Sequence, residues 1–163
     1  PLILQIVGRF YYFDHQPQLA MYEWLKSLQI DPDFYWSHLF LSFRFEEMHA
    51  YERWYKHFRQ ARVNLPESEL ANFDRAAAAI GKPALVERIF QERVKEAEAG
   101  RSEAGSVAIG YARRGQKEKA LEWIDRALER KGLDVIYLKV EPAYDNIRTD
   151  PRFKAAIAKV GIP

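Results

Sequence analysis

Runs of β-branched residues at a period of two, the pattern of a strand, are nearly absent from this chain. Proline and glycine instead divide it into stretches of about twelve to seventeen residues, the length of ordinary helices. Asp31-Pro32 and Asp150-Pro151 each offer an aspartate as N-cap and a proline for the first helical turn. The pattern predicts an all-α chain with helices near residues 2–14, 17–30, 34–47, 49–63, 67–80, 84–99, 102–114, 117–131 and 151–160.

One segment has the composition of a strand. It is DVIYLKV at residues 134–140, and it is isolated from any second candidate strand. Because a lone strand has no partner for its backbone hydrogen bonds, we expect a short helical turn or an extended linker there instead.

Residues also recur at an interval of 34 positions. Ala20, Trp24, Ser27 and Pro32 are followed 34 residues later by Trp54, Phe58, Ala61 and Pro66. Nearer the C-terminus, Tyr111, Gly115, Ala120 and Ala127 place small residues at regular points in a helical stretch. A repeat of this length, with small residues where helices touch and aromatic residues around them, resembles the tetratricopeptide repeat.

This resemblance implies a particular division of the chain. It gives repeats at residues 1–34, 35–66, 67–100 and 101–132, followed by a linker and capping helix at 133–163. Residues 101–132 match best, and residues 67–100 match least because a two-residue deletion shifts their register. The implied fold is one domain, a right-handed superhelix of about four antiparallel helix pairs closed by the C-terminal helix.

The C-terminal segment narrows the resemblance. YLKVEPAYDNIRTDPRF at residues 137–153 is similar to the end of tetratricopeptide domains attached to bacterial winged-helix transcriptional regulators, serine/threonine kinases and adenylate cyclases. The resemblance implies the docking or sensory region of such a regulator, and we expect the chain to be the C-terminal fragment of a longer protein. In that reading Phe153, Ile157 and Val160 cover the last repeat.

Composition restricts the kind of partner. The chain has 163 residues, no cysteine and a net charge of +2, which is too small to indicate nucleic-acid binding. Without cysteine, disulfides and zinc–thiolate sites are excluded, and a cytoplasmic protein is favoured. The apolar opening PLILQIVG is too short to span a bilayer, so we expect no membrane partner.

Candidate chemistry is sparse. Glu46 and His49 have the i, i+3 spacing of carboxylate-bridged metal bundles, but that chemistry requires a second such motif and further glutamates. Ser37-His38 has no carboxylate at a motif spacing, and no glycine-rich phosphate loop is present. We therefore expect no catalytic residues, metal or cofactor. An enzyme built around Glu46 and His49 is the least favoured alternative.

The aromatic residues are unevenly distributed, because 16 of the 23 lie in residues 1–60. In the repeat family, partners bind the concave face formed by the first helix of each pair, and aromatic residues anchor protein interfaces. By register the predicted binding residues are Arg9, Tyr12, Phe13, Trp36, Phe43, Glu47, Arg75 and Arg113. This set suits a peptide or partner protein with apolar anchors and an acidic end.

Three other interpretations of the aromatic residues stay open. A closed pocket lined by Tyr12, Phe13 and Phe43 would indicate a sensor of a small apolar ligand. Dimerisation through Phe13 would make the chain a self-association domain. The same surface also fits packing against repeats upstream of residue 1.

Overall fold

The fold is built from helices that follow one another as neighbours along the chain. The structure is a computed structural model that describes residues 1–161, apart from the side chains of residues 133 and 134; residues 162–163 of the predicted C-terminal segment lie outside it. Within residues 1–161 all regular structure is helical, with no strand, so the all-α prediction is confirmed. The elements are α1 (Leu2–Phe13), α2 (Pro17–Ile30), α3 (Tyr35–Glu47), α4 (Tyr51–Gln60), α5 (Glu67–Ile80), α6 (Lys82–Glu98), α7 (Ala104–Arg113), α8 (Lys117–Glu129), two 3₁₀ helices (Leu133–Tyr137 and Pro142–Ile147) and α9 (Pro151–Val160).

The segment that resembled a strand is helical. Residues 134–137 belong to the first 3₁₀ helix, and residues 138–140 form the turn that follows it. The expectation of a short helical turn is therefore confirmed. The predicted boundaries differ most at α4, which ends at Gln60 because residues 61–64 form a turn before Pro66.

The chain forms two compact units, Pro1–Arg88 and Ile89–Pro163, and the boundary between them falls within α6. In the N-terminal unit α1 packs against α2, α3 against α4, and α2 against α3. In the C-terminal unit α7 packs against α8, and α8 against α9. Sequential pairing of helices is thus present in each unit, whereas the right-handed superhelix and the single domain stay predictions.

The turns inside three helix pairs share one backbone geometry. His15, His49 and Gly115 follow α1, α3 and α7 with φ values of 57°, 54° and 67°. In each turn the next amide donates a hydrogen bond to the carbonyl five residues earlier, at 2.8, 2.8 and 3.0 Å. This is the Schellman arrangement, in which a left-handed residue closes the helix and reverses the chain. His15 and His49 lie 34 residues apart, in agreement with the sequence interval.

The third predicted pair differs from the others. Only Gly81, with φ 80° and ψ 153°, separates α5 from α6, and these two helices make little contact with each other. A single linking residue leaves no room for the longer turns found after α1 and α3. The two-residue deletion in this repeat therefore has a structural consequence, since it removes the residues that would fold α6 back onto α5.

A polar network fixes α5 to α4. Tyr55 donates a hydrogen bond of 2.6 Å to the Asp74 carboxylate, which also accepts from Arg59 Nε at 3.2 Å. Burial and this hydrogen bond raise the pKa of Tyr55, while the Tyr55 hydroxyl lowers the pKa of Asp74. Beside the network, the Phe58 and Phe73 rings meet edge to face at 5.2 Å.

The core of the C-terminal unit explains the motif at residues 137–153. Tyr144, Ile147 and Phe153 are almost completely buried against α7 and α8. Arg148 donates hydrogen bonds to the backbone carbonyls of residues 139 and 141 at 2.7 and 3.0 Å, which closes the segment on itself. Ile157 and Val160 pack against the same core, so the predicted capping role of α9 is confirmed.

Candidate functional site

The N-terminal unit brings together six of the eight predicted binding residues. Arg9, Tyr12 and Phe13 occupy the last turns of α1, and Trp36, Phe43 and Glu47 lie along α3. The two helices are joined by direct contacts described below. We call this surface the aromatic–arginine face and define it by Arg9, Phe13, Trp36, Phe40, Phe43 and Glu47.

Arg9 lies at the centre of this face. Its guanidinium carbon is 5.7 Å from the centroid of the Phe13 ring and 5.6 Å from the centroid of the Phe40 ring. Both distances fall within the range of cation–π attraction. Aromatic rings replace part of the water around the guanidinium, while Arg9 itself stays partly exposed. A weakly hydrated, positioned cation of this kind favours binding of a carboxylate.

The rings around Arg9 form a connected row along α3. The Phe40 ring stacks on Trp36 at 6.5 Å and meets Phe43 edge to face at 6.4 Å. Phe40 and Phe43 are partly exposed, and Trp36 is 48% exposed. Helix α3 therefore presents three aromatic side chains of graded exposure, which suits the apolar anchors of a partner.

Tyr12 and Glu47 join α1 to the C-terminal end of α3. The Tyr12 hydroxyl donates a long hydrogen bond of 3.4 Å to Glu47, and Glu47 also forms an ion pair with Arg44 on its own helix. Tyr12 is only 7% exposed. It therefore supports the face from below, and the solvent-facing members are Arg9 and the α3 rings.

Phe40 and Arg44 were not predicted, although they contact the predicted residues. Phe40 lies one helical turn after Trp36, and Arg44 lies one turn after Phe40, so all three share one side of α3. That i, i+4 spacing was the available signal. The 34-residue register concealed it, because it selects residues by their position in the repeat.

Two predicted residues lie away from the face in their observed contacts. Arg75 is exposed on α5 and hydrogen bonds to Asn72 of the same helix. Arg113 belongs to the C-terminal unit, where its guanidinium lies 3.5 Å from the buried Glu141 carboxylate. Arg113 thus has a structural partner that the sequence pattern did not indicate.

The other candidate chemistry stays dispersed. In the described part of the chain, no three histidine, aspartate or glutamate side chains converge as metal ligands would. His49 Nδ1 is paired with the Tyr51 hydroxyl at 2.9 Å. None of the helices described here is long and apolar enough to cross a bilayer.

Two open clefts lie beside interhelical turns. The larger, about 630 Å³, is lined by residues 49–53 together with Ala77 and residues 81–83. The second, about 390 Å³, is lined by residues 100–104, 127 and 130–132. Neither includes Tyr12, Phe13 or Phe43, the residues of the predicted apolar pocket. In the larger cleft Lys82 forms an ion pair with Glu52 at 2.8 Å.

Comparison with known proteins identifies no relative. No protein-family model, no curated protein and no solved structure matches the chain. The tetratricopeptide resemblance therefore stays a prediction, and the function is argued from the aromatic–arginine face itself.

Proposed function

We propose that this chain is a non-enzymatic interaction module of the tetratricopeptide type, which binds a peptide or partner protein on its aromatic–arginine face. The observation that carries the proposal is Arg9, held between the Phe13 and Phe40 rings beside the exposed Trp36. The shared turn geometry at His15 and His49 supports the repeat interpretation.

The chemistry of the face specifies the ligand. Partly exposed aromatic rings favour aliphatic or aromatic side chains, and Arg9 favours a carboxylate next to them. Glu47 is already paired with Arg44 and Tyr12, so it disfavours a second acidic group at its end of α3. The ligand is therefore an extended segment or helix with apolar anchors and one acidic group near Arg9.

The proposal has a cellular counterpart. By the resemblance of residues 137–153, the module acts in the cytoplasm as the docking or sensory region of a bacterial signalling or transcriptional regulator. The effector chemistry in such a protein belongs to another domain. The face requires no cofactor, metal, nucleic acid or membrane to bind a peptide.

Selection from a random peptide library tests the function. We expect peptides enriched in an acidic residue beside apolar residues, with binding that weakens as salt rises. The Arg9→Glu, Phe43→Ala variant is expected to bind the selected peptides at least tenfold more weakly, since interface anchors typically contribute more than about 1 kcal/mol each. Isothermal titration calorimetry measures the difference.

The matched control changes the same residue classes elsewhere. Lys154→Glu with Tyr22→Ala reverses one exposed cation and removes one exposed ring outside the face. Circular dichroism establishes that both variants are folded. If the two variants bind equally well, or the library yields no acidic preference, the proposed face is wrong.

Self-association is a second candidate, favoured by a separate observation. Exposed apolar side chains are concentrated on α1 and α2, including Ile3 at 76%, Phe10 at 69% and Tyr22 at 59%. A patch of this kind on a folded protein indicates an interface. We expect Phe10→Asp to abolish any concentration-dependent dimer seen by sedimentation velocity, whereas Ile136→Asp, at an exposed apolar site in the C-terminal unit, leaves it unchanged. A chain that is monomeric at all concentrations removes this candidate.

A further inference from the structure

Two buried histidines contact each other between α3 and α4. His38 and His57 are 5% and 7% exposed, and their Nδ1 atoms lie 2.8 Å apart. The His57 ring also stacks on Phe45 at 5.4 Å. Buried imidazoles are titratable groups within the helix pair, and neither the fold nor the proposed binding face requires them to titrate.

The hydrogen bonds determine where the protons lie. His38 Nε2 is 2.8 Å from the carbonyl oxygen of Pro32, which can only accept, so Nε2 carries the proton. In the neutral ring His38 Nδ1 is then an acceptor. His57 Nδ1 must donate to it, and His57 Nε2 is left without a proton. The pair therefore has a single arrangement in which both rings are neutral.

An additional proton disturbs this arrangement at either ring. On His38 Nδ1 it places two N–H donors opposite each other at 2.8 Å, which removes the hydrogen bond. On His57 it creates a cation in a largely apolar site. A buried charge without an opposite partner is strongly unfavourable, so the folded pair resists protonation that the unfolded chain accepts readily.

The surrounding charges provide no compensation. Lys56, the neighbour of His57 on α4, repels a second cation. Arg53, also on α4, lies over the Phe45 ring on which His57 stacks. In the α2–α3 loop, Asp31 caps the backbone amide of residue 33, and Asp33 accepts from Gln60, so neither carboxylate is bonded to an imidazole.

We propose that His38 and His57 form an acid-sensitive latch that holds α3 against α4 while both rings are neutral and releases it when the pair takes up a proton. The latch does not depend on the proposed function. It has a consequence for it, since α3 carries four of the six residues of the aromatic–arginine face.

The expected pH dependence follows from linkage. Burial, His38 and Lys56 lower the pKa of His57 from 6.5 to about 4. A group with a depressed cationic pKa contributes stability that is complete above pH 6.5 and is lost as pH falls towards 4. Between pH 7.5 and pH 5 the folding equilibrium constant is expected to fall about 30-fold. Carboxylates with lowered pKa values titrate below this window.

The experiment combines denaturant unfolding at several pH values with NMR of the imidazole nitrogens. His57→Asn keeps a donor towards His38 but cannot take up a proton, and we expect it to reduce the 30-fold change to less than about threefold. His15→Asn alters an exposed ring and is expected to retain the full change. The NMR spectra of the unmodified chain are expected to show both buried rings neutral at pH 5, with the tautomers given above.

Two results would overturn the latch. One is an identical pH dependence in the His57→Asn variant and the unmodified chain. The other, which requires no variant, is a protonated His38 or His57 ring in the folded chain with unchanged hydrogen-exchange protection of α3 and α4.

Discussion

Replacement of Trp24 by alanine is expected to lower the free energy of unfolding by about 3–5 kcal/mol, the usual cost of removing a large buried aromatic side chain. Trp24 is 1% exposed and packs its ring against Phe40 at 5.3 Å and Tyr12 at 6.3 Å. Its indole Nε1 donates a hydrogen bond of 3.2 Å to the carbonyl of Gln5. Urea unfolding followed by circular dichroism measures the loss.

Gly8 provides an independent test of the same packing. A Cβ added to Gly8 would lie 2.3 Å from Trp24 Nε1, far inside contact distance, so Gly8→Ala is expected to destabilise the chain by about 1–3 kcal/mol. In the Trp24→Ala background the space is open, and the same change is expected to stabilise the helix by about 0.5–1 kcal/mol.

This reversal of sign separates a steric effect from a general preference of the helix. If Gly8→Ala stabilises the chain in both backgrounds, Trp24 does not pack where the structure places it. The result bears on function, because the Trp24 ring lies under Phe40, whose other contacts include Arg9. Hydrogen exchange in α1 and α3 is expected to increase together in the Trp24→Ala variant.

The helices were predictable because their signals are local. Proline and glycine at the ends of stretches of helical length located the elements, and small or polar residues at the turns located the reversals at His15 and His49. The interval of 34 residues then placed residues of α1 and α3 on one side. This sufficed to group Arg9, Phe13 and Trp36 before any contact was known.

The errors arise where the periodicity ends or where a contact joins unrelated positions. The deletion before Gly81 breaks the register, so the interval predicts nothing reliable about the contacts of α5 and α6. Phe40 is missed because it depends on the 3.6-residue turn of α3. His38 and His57 approach each other only through the packing of α3 on α4, and their spacing of 19 residues follows no repeat.

Arg113 shows most clearly why a repeat register alone does not identify a binding residue. The register places it on the predicted concave face, but the structure places its guanidinium 3.5 Å from Glu141, in the turn before the second 3₁₀ helix. The Glu141 side chain is 7% exposed and also accepts a hydrogen bond of 3.3 Å from the Ala143 amide. Because that turn lies outside the repeats, no periodic pattern predicts this contact.

We therefore expect Arg113→Ala to destabilise the C-terminal unit by about 2–3 kcal/mol, since it leaves a buried carboxylate without its cation. The double variant Arg113→Met, Glu141→Leu removes both charges and is expected to regain most of this stability. Arg126→Ala is the control, because its exposed pair with Glu122 contributes less than about 0.5 kcal/mol. Hydrogen exchange in α7 and α8 and urea unfolding followed at Trp123 report on this unit.

The same variants separate the two roles of Arg113. If the residue is structural, peptide binding by Arg113→Ala declines only where the fold declines, and the double variant recovers binding along with stability. If it contacts the ligand, the double variant is stable but binds poorly, as Arg113 then supplies a charge that methionine lacks. Full stability of Arg113→Ala itself would show that the Glu141 pair contributes nothing, and the register-based assignment would stand in its place.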